Sequence, residues 1–385
     1  MAMKKKLTRN RGSKLDSYYD IVKELLESDS QVFFYKRVLW QYLTDNLGLV
    51  CPQSSFRRWI SKIPEFQEYF NGKTNRTVNG EKRDCTTTHK HPLTYVTGPG
   101  YEAQLDYKES MHFKLKDGSI VEVHVLSMVY AYSRFKIFQL TLSKTQEVLF
   151  HLLDNAFEIA GGVPKTIRTD NMKTVMDEAR TRYSKGKKNA GFEQFSKDYN
   201  FVTVACRSFE PEVKSKVETP MKLIDELYAY NGQLDLVGLN DKLKEINDRA
   251  NSTCHPETGK IPILHFKKEK DSLSPLPHDS IRNQYRIESK TVKVNTQSLV
   301  VYKSKYYSVP PIYIGKSLTI QAHDNHLHIY NNTKLVTIHE ISQDKKRNYH
   351  EDHYIEISKL AIDGDNSQIE EFAKNSLKEI GEYYK

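Results

Sequence analysis

At 385 residues the chain is too long for one small domain, and at about 150 residues per domain it implies two or three. Its 38% apolar content supports several modest cores, while no apolar run approaches the roughly 20 residues needed to cross a bilayer, so a helical membrane protein is excluded. The formal charge is +9, and residues 1–90 hold 17 Lys/Arg against 10 Asp/Glu, which favours a polyanionic partner, nucleic acid before acidic lipid; a merely soluble basic surface is the plainer reading.

The four cysteines, Cys51, Cys85, Cys206 and Cys254, form no C-x-x-C pair and read as free thiols of a reducing compartment. The opening "MAMKKKLTRNRGSK" has no apolar stretch behind its basic residues, so it is not a secretory signal, and a cytoplasmic location is expected. Residues 1–13 read as a basic arm. From 14 to 70 the spacing predicts three helices. Leu15, Tyr18, Tyr19, Val22, Leu25 and Leu26 share one face of the first. "YKRVLWQYLTDNLG" gives the second, stopped by Gly48, and "SSFRRWISK" the third, with Ser54 or Ser55 as its N-cap. Arg57, Arg58 and Lys62 on that third helix suit a helix-turn-helix DNA-binding domain; a plain three-helix bundle with a solvated basic face is the alternative. Residues 71–97 are polar and basic and read as a linker. Cys85, His89 and His91 within it match no zinc-site spacing.

From 98 to 232 the pattern changes. Strands are expected at "YEAQLDYKESMHF", "SIVEVHVLSMVYAYS" and "RFKIFQLTLS", the first two joined by a turn at "KDG". A helix over about 145–160 stops at Gly161 and Gly162; a strand at "VPKTIRTDN", a helix at "FEQFSKDY", a strand at "FVTVACRSF" and a last helix from near Val217 follow. The order β-β-β-α-β-α-β-α predicts a mixed sheet with helices on its faces. Residues 233–284 read as a connector with a short helix at "LNDKLKEINDRAN", residues 285–342 as a small β-barrel, and residues 343–385 as a charged tail with one weak helix at "SQIEEFAKNSLKEIGEYY".

Three acids fall at distinctive places in this order. Asp106 lies within the first strand, Asp170 ends the fourth, and Glu218 stands in the first turn of the last helix. If the first and fourth strands are neighbours and the helix crosses their ends, the three converge, and a divalent cation relieves their repulsion. Oxygen donors of this kind suit Mg²⁺ or Mn²⁺, and two such ions serve phosphodiester chemistry. Each acid alone has a plainer role: Asp170 as a cap, Glu218 as a helix-terminal charge, Asp106 on a strand face open to water.

These residues resemble the IstA-type insertion-sequence transposases, whose catalytic domain has the ribonuclease H-like fold of retroviral integrases. "GPGYEAQLDYKE" and "VYAYSRFKIFQL" are similar to the family's first-acid region, "GGVPKTIRTDNMKT" to its second and "KSKVETPMKLI" to its third. "KYYSVPPIYIGKSLTI" resembles its C-terminal β-domain, and "KLDSYYDIVKELL" through "SSFRRWI" its second helix-turn-helix; the likeness runs in order over residues 14–345. Family members usually begin with a further helix-turn-helix, where only the short basic arm stands here, and "EVKSKVE" replaces the frequent "KGKVE".

The resemblance implies that Asp106, Asp170 and Glu218 hold two Mg²⁺ ions, cleave transposon ends, and join the exposed 3′-hydroxyls to target DNA. It makes Asn171 a residue that orients the second acid or meets DNA. Lys173, Lys214 and Lys216 sit close to the acids in sequence and are candidate phosphate contacts, ordinary surface lysines being the plainer reading; Arg57, Arg58 and Lys62 are candidates for contact in or beside the major groove. It also implies a second copy of the chain and an IstB-type AAA+ ATPase as partners; the sequence has no Walker motif of its own. The competing readings are a ribonuclease H-like nuclease that does not join strands and a non-catalytic DNA-binding regulator.

Overall fold

The structure is a computed structural model. It describes residues 13–28, 31–74, 97–180, 184, 186–206, 215–323, 325–331, 334–362 and 365–383. Nearly all of the expected basic arm and linker, with Cys85, His89 and His91, lies outside these residues.

Four helices form the N-terminal region: α1 (Tyr19–Glu27), α2 (Lys36–Leu47), α3 (Gln53–Ile60) and α4 (Pro64–Thr74). Val22, Phe33, Leu39, Leu43, Phe56 and Phe66 are fully enclosed in their common core. Gly48, at φ +64°, ends α2 in the left-handed conformation that glycine adopts without steric cost. The start of α3 differs from expectation. Pro52, not Ser54 or Ser55, holds the N-cap position, and its carbonyl accepts from the amides of Ser55 and Phe56. Helix α4 was not foreseen, and it continues into the expected linker.

The central region begins with β1 (Glu102–Lys114), β2 (Ile120–Tyr130) and β3 (Lys136–Thr141), the first two turning at Gly118, where φ is +87°. Next come α5 (Gln146–Ala160), β4 (Thr166–Thr169), a small ladder of β5 (Met176–Glu178) with β6 (Lys187–Lys188), α6 (Ala190–Asp198), β7 (Val202–Ala205) and α7 (Ser215–Ile224). A 3₁₀ turn over Asp225–Tyr230 continues α7. The Thr145 side chain accepts from the Val148 amide and caps α5, while Asn189 caps α6. The main sheet runs β3-β2-β1-β4-β7; β1 to β3 are antiparallel, and β4 and β7 run parallel to β1. This is the mixed sheet read from the sequence.

Strand β1 serves two cores. Ala103, Leu105 and Tyr107 pack under α5 and α6, whereas Met111 and Phe113 pack on the opposite side with Ile224. A bulge between Lys108 and Met111, with Ser110 at φ +51°, absorbs one residue and reverses which side the odd positions face. Consequently Gln104, Asp106 and Lys108 lie on the side of Met111 and Phe113, the side that α7 covers.

The connector holds three helices rather than one: α8 (Leu236–Ser252), α9 (Pro262–Lys270) and α10 (Asp279–Arg282). Leu239, Leu243 and Ile246 of α8 complete the core beneath α7. The buried Glu269 of α9 accepts from the amides of Gly100 at 3.1 Å and Ser133 at 3.0 Å, tying the connector to the entry of β1 and the β2–β3 turn. Burial pushes its carboxyl above the ordinary range.

The C-terminal β-rich region comprises β8 (Ser289–Lys293), β9 (Leu299–Tyr302), β10 (Lys305–Ser308), β11 (Ser317–His323), β12 (His326–Asn331), β13 (Lys334–Glu340) and β14 (Arg347–Asn348). They form two sheets, β13-β12-β11-β8 and β14-β10-β9, around a core of Val300, Tyr307, Leu318, Leu327 and Ile329. Among the described residues no ladder joins these sheets into the expected barrel. The tail carries two helices, α11 (Glu351–Ala361) and α12 (Asn366–Tyr383), packed on each other, where one was expected.

Candidate active site

The parallel ladder between β1 and β4 pairs Glu102 with Thr166 and proceeds to Leu105 with Thr169. The next residues along the two strands are Asp106 and Asp170, and neighbouring strands lie about 4.8 Å apart. Two of the three sequence-predicted acids are thereby brought side by side at the carboxyl end of β4. Asp106 is half-buried, faces Ser127 of β2 in the register, and its Oδ1 accepts from the Tyr107 amide at 2.8 Å. Asp170 is also half-buried.

Glu218 lies on α7, which packs against β1 and β2 on the side of the sheet that bears Asp106. Its side chain falls outside the described residues, and among the described residues no group of three His, Cys, Asp or Glu gathers in a manner that would hold a metal ion. Pro220 sits within α7 and has no N–H to give to the carbonyl four residues earlier, so the first turns of this helix are weakly tied internally.

Around the two aspartates the sheet face is polar. Glu102 and Arg168 form an ion pair at 2.8 Å across β1 and β4. Lys108 reaches Asp225, just beyond α7, at 2.8 Å. Gln104 is 2% exposed and Ser127 0% exposed, yet among the described residues neither the Gln104 amide nor the Ser127 hydroxyl has a hydrogen-bond partner. Buried polar groups are ordinarily paired, so unpaired ones flanking Asp106 mark a site that something else completes. Hard carboxylate oxygens beside a neutral amide and a hydroxyl fit Mg²⁺ or Mn²⁺ better than a thiophilic metal.

The remaining site residues separate by position. Asn171 is engaged with backbone: Oδ1 accepts from the Arg180 amide at 2.8 Å, and Nδ2 donates to the carbonyls of Cys206 at 3.2 Å and Arg180 at 3.3 Å. Lys173 is exposed in the turn after β4. Lys214 and the side chain of Lys216 lie outside the described residues. Arg57, Arg58 and Lys62 are exposed together on and just beyond α3. Sequence reasoning missed Gln104, Lys108 and Asp225. Period-2 spacing from Asp106 was the available signal for the first two.

Residues 283–352 match the family model described as Mu transposase, C-terminal domain, which spans β8 to β14. The chain is 47% identical over 379 residues to the transposase for insertion sequence element IS232 of Bacillus thuringiensis subsp. berliner, covering 98% of this chain and 85% of that one. It is 28% identical over 257 residues to the transposase for insertion sequence element IS21 of Pseudomonas aeruginosa, covering 66% of this chain and 64% of that one. A solved HTLV-2 integrase catalytic core in complex with magnesium aligns at 16% identity over 45% of this chain and 99% of its own, with a TM-score of 0.33, a likeness too faint to carry an argument. Near-complete alignment with the IS232 protein settles the matter: the chain belongs to the IS21/IS232 family of insertion-sequence transposases, the IstA type.

Proposed function

We propose that Asp106, Asp170 and Glu218 are the catalytic acids of a DNA transposase that cleaves transposon ends and joins the freed 3′-hydroxyls to target DNA. The observation that carries this reading is the β1–β4 register, which makes Asp106 and Asp170 the next residues after Leu105 and Thr169 on adjacent parallel strands. Helix α7 packs over the same strand, which supports Glu218 as the third acid.

The reaction is a hydrolysis followed by a transesterification. Water first attacks the phosphorus at the transposon end and displaces the 3′-oxygen, leaving a 3′-hydroxyl and a 5′-phosphate; that hydroxyl then attacks a target phosphodiester and displaces its 3′-oxygen, one P–O bond forming as one breaks. Asp106, Asp170 and Glu218 would hold Mg²⁺ or Mn²⁺, which would supply Lewis-acid stabilisation of charge on the phosphate oxygens. The rigid sheet holds Asp106 and Asp170 at fixed separation, so little reorganisation is needed when substrate arrives. Asn171 braces the backbone that follows Asp170. Lys173, Lys214 and Lys216 position the DNA backbone, and the exposed Arg57, Arg58 and Lys62 give α3 a second DNA-contacting face. A second copy of the chain and an IstB-type AAA+ ATPase are the further partners that membership of the family supports.

Asp106→Asn, Asp170→Asn and Glu218→Gln are each expected to lower cleavage of transposon-end DNA by roughly 10³-fold or more while leaving DNA affinity within a few-fold of wild type. A strand-transfer assay on pre-cut ends separates the alternatives. Hydrolysis without joined product would favour a simple nuclease, and full activity in any of the three variants would remove that residue from the site.

A further inference from the structure

The N-terminal helices are not loosely tethered to the central sheet. The Val32 amide donates to the Tyr228 carbonyl at 3.2 Å. The Phe34 ring meets Tyr228 edge-on at 5.3 Å, and Tyr228 stacks on Phe113 of β1 at 4.9 Å. The Tyr35 hydroxyl lies near the Asp225 carboxylate, which also receives Lys108 at 2.8 Å. Arg37 and Arg249 both grip the buried Glu226. Tyr230 is part of the N-terminal core, against Tyr42.

All these contacts fall on the 3₁₀ turn that continues α7, and Asp225 stands two helical turns after Glu218. Helix α7 has ten residues and an internal proline, too short and too interrupted to be stable alone. Two acids at its C-terminal end also oppose the helix dipole. Asp225 and Glu226 therefore do not serve the helix itself; their cationic and hydroxyl partners come from β1, α2, α8 and the segment preceding α2. At the other end of that segment, Lys36 donates to Ser61 Oγ at 2.8 Å and lies near Arg57, so the seam runs on to the basic face of α3.

We propose that residues Phe34–Arg37 are the device by which the N-terminal helical region sets the position of α7, with Tyr35 and Arg37 acting as positioning residues for Glu218. The inference rests on the reading of Glu218 as a catalytic acid. It makes the N-terminal region part of the assembled active site rather than only a DNA tether.

The test compares the full-length protein with Tyr35→Phe, Arg37→Met and the double variant. In the absence of metal, amide hydrogen exchange across residues 221–230 is expected to quicken roughly tenfold or more in the double variant, with the sheet amides of β2 and β3 unchanged. Affinity for transposon-end DNA should stay within about twofold, while kcat on pre-cut ends falls roughly ten- to a hundredfold at constant KM. Arg37→Lys, which keeps the charge at Glu226, should recover most of the loss. Because Mg²⁺ demands stricter ligand geometry than Mn²⁺-tolerant sites require, the defect should be larger in Mg²⁺. Should the double variant fail to fold, Tyr35→Phe alone, which deletes one hydroxyl, should show the same pattern at smaller amplitude. Wild-type exchange across 221–230 together with wild-type kcat would overturn the inference, as would an equal loss of kcat and DNA affinity. Glu218→Gln is the control: if it retains cleavage, the catalytic reading of Glu218 fails, whereas its inactivity beside fully active seam variants sinks only the positioning role.

Discussion

Asn171, next to Asp170, spends its side chain on backbone. Its amide ties the chain after β4 to Arg180 and to the end of β7 at Cys206. Asn171→Ala leaves these half-buried backbone groups without that partner and is expected to cost about 1–3 kcal/mol in urea unfolding, with a parallel loss of cleavage. Asn171→Asp keeps the acceptor for the Arg180 amide but loses the donor to Cys206, so it should fall between the two. The sequence drew attention to Asn171 for its place beside Asp170 but not for this role, because the carbonyl it meets is 35 residues away. Asp106 drew attention for a different reason: an acid among apolar strand residues is conspicuous. Lys108 was hidden because a lysine two residues from an acid looks like ordinary surface until Asp225 is seen beside it.

Elements far apart in sequence are joined through Asp154 on α5. It is fully buried and accepts from Arg282 Nε at 2.7 Å, Arg286 Nε at 2.6 Å and the Tyr199 hydroxyl at 2.8 Å. Burial pushes the carboxyl up, but the bonds from Arg282, Arg286 and Tyr199 outweigh it and hold the group below the ordinary aspartate range. Asp154→Ala removes the buried carboxylate shared by Arg282 and Arg286 and leaves them the exposed Glu158 and Asp279, which should cost about 3 kcal/mol in denaturant unfolding. Asp154→Leu combined with Arg282→Met should cost much less, since it removes charge from both sides. The sequence placed the five strands of the main sheet and α5 through α7 within a few residues, because alternation and helix stops such as Gly161 and Gly162 are local signals, while the short β5–β6 ladder went unread. It undercounted the connector helices: the Pro-rich surroundings of α9 and α10 read as loop, and these helices are stabilised by distant partners such as Gly100 and Asp154. The sides of β1 were also not readable. Apolar residues at 103, 105, 107, 111 and 113 suggest one buried face, and only the pairing with β2 shows the bulge that divides them.

For the molecule as a whole, the C-terminal sheets meet the central region across a cavity of about 750 Å³. His151 of α5 faces His323 and His328 of the β-rich region there, with Asp248, Glu158 and Lys244 on the rim. Burial, reinforced by His323, lowers His151 from 6.5 to about 4, and burial also carries His328 well below its usual value. Groups held neutral in the folded chain take up protons on unfolding once the pH drops below about 6.5. Their contribution is therefore complete above that pH and is lost as the pH falls towards 4, by about 1 kcal/mol per pH unit for each histidine. Melting curves between pH 7.5 and 5 should show this decline, and His151→Gln should make it shallower by about one proton. Closure of residues 285–342 into a barrel was expected from alternating segments and their size, but alternation alone does not determine which edges pair; among the described residues the ladders leave two sheets with a shared interior. The central sheet is organised on the opposite plan, because the bulge at Ser110 sends one continuous strand into both of its interiors. Such a strand leaves no natural line of cleavage through the middle of the molecule. Whatever slackens one interior pulls on the other through the thirteen residues that carry Asp106, so damage to either is transmitted to that carboxylate.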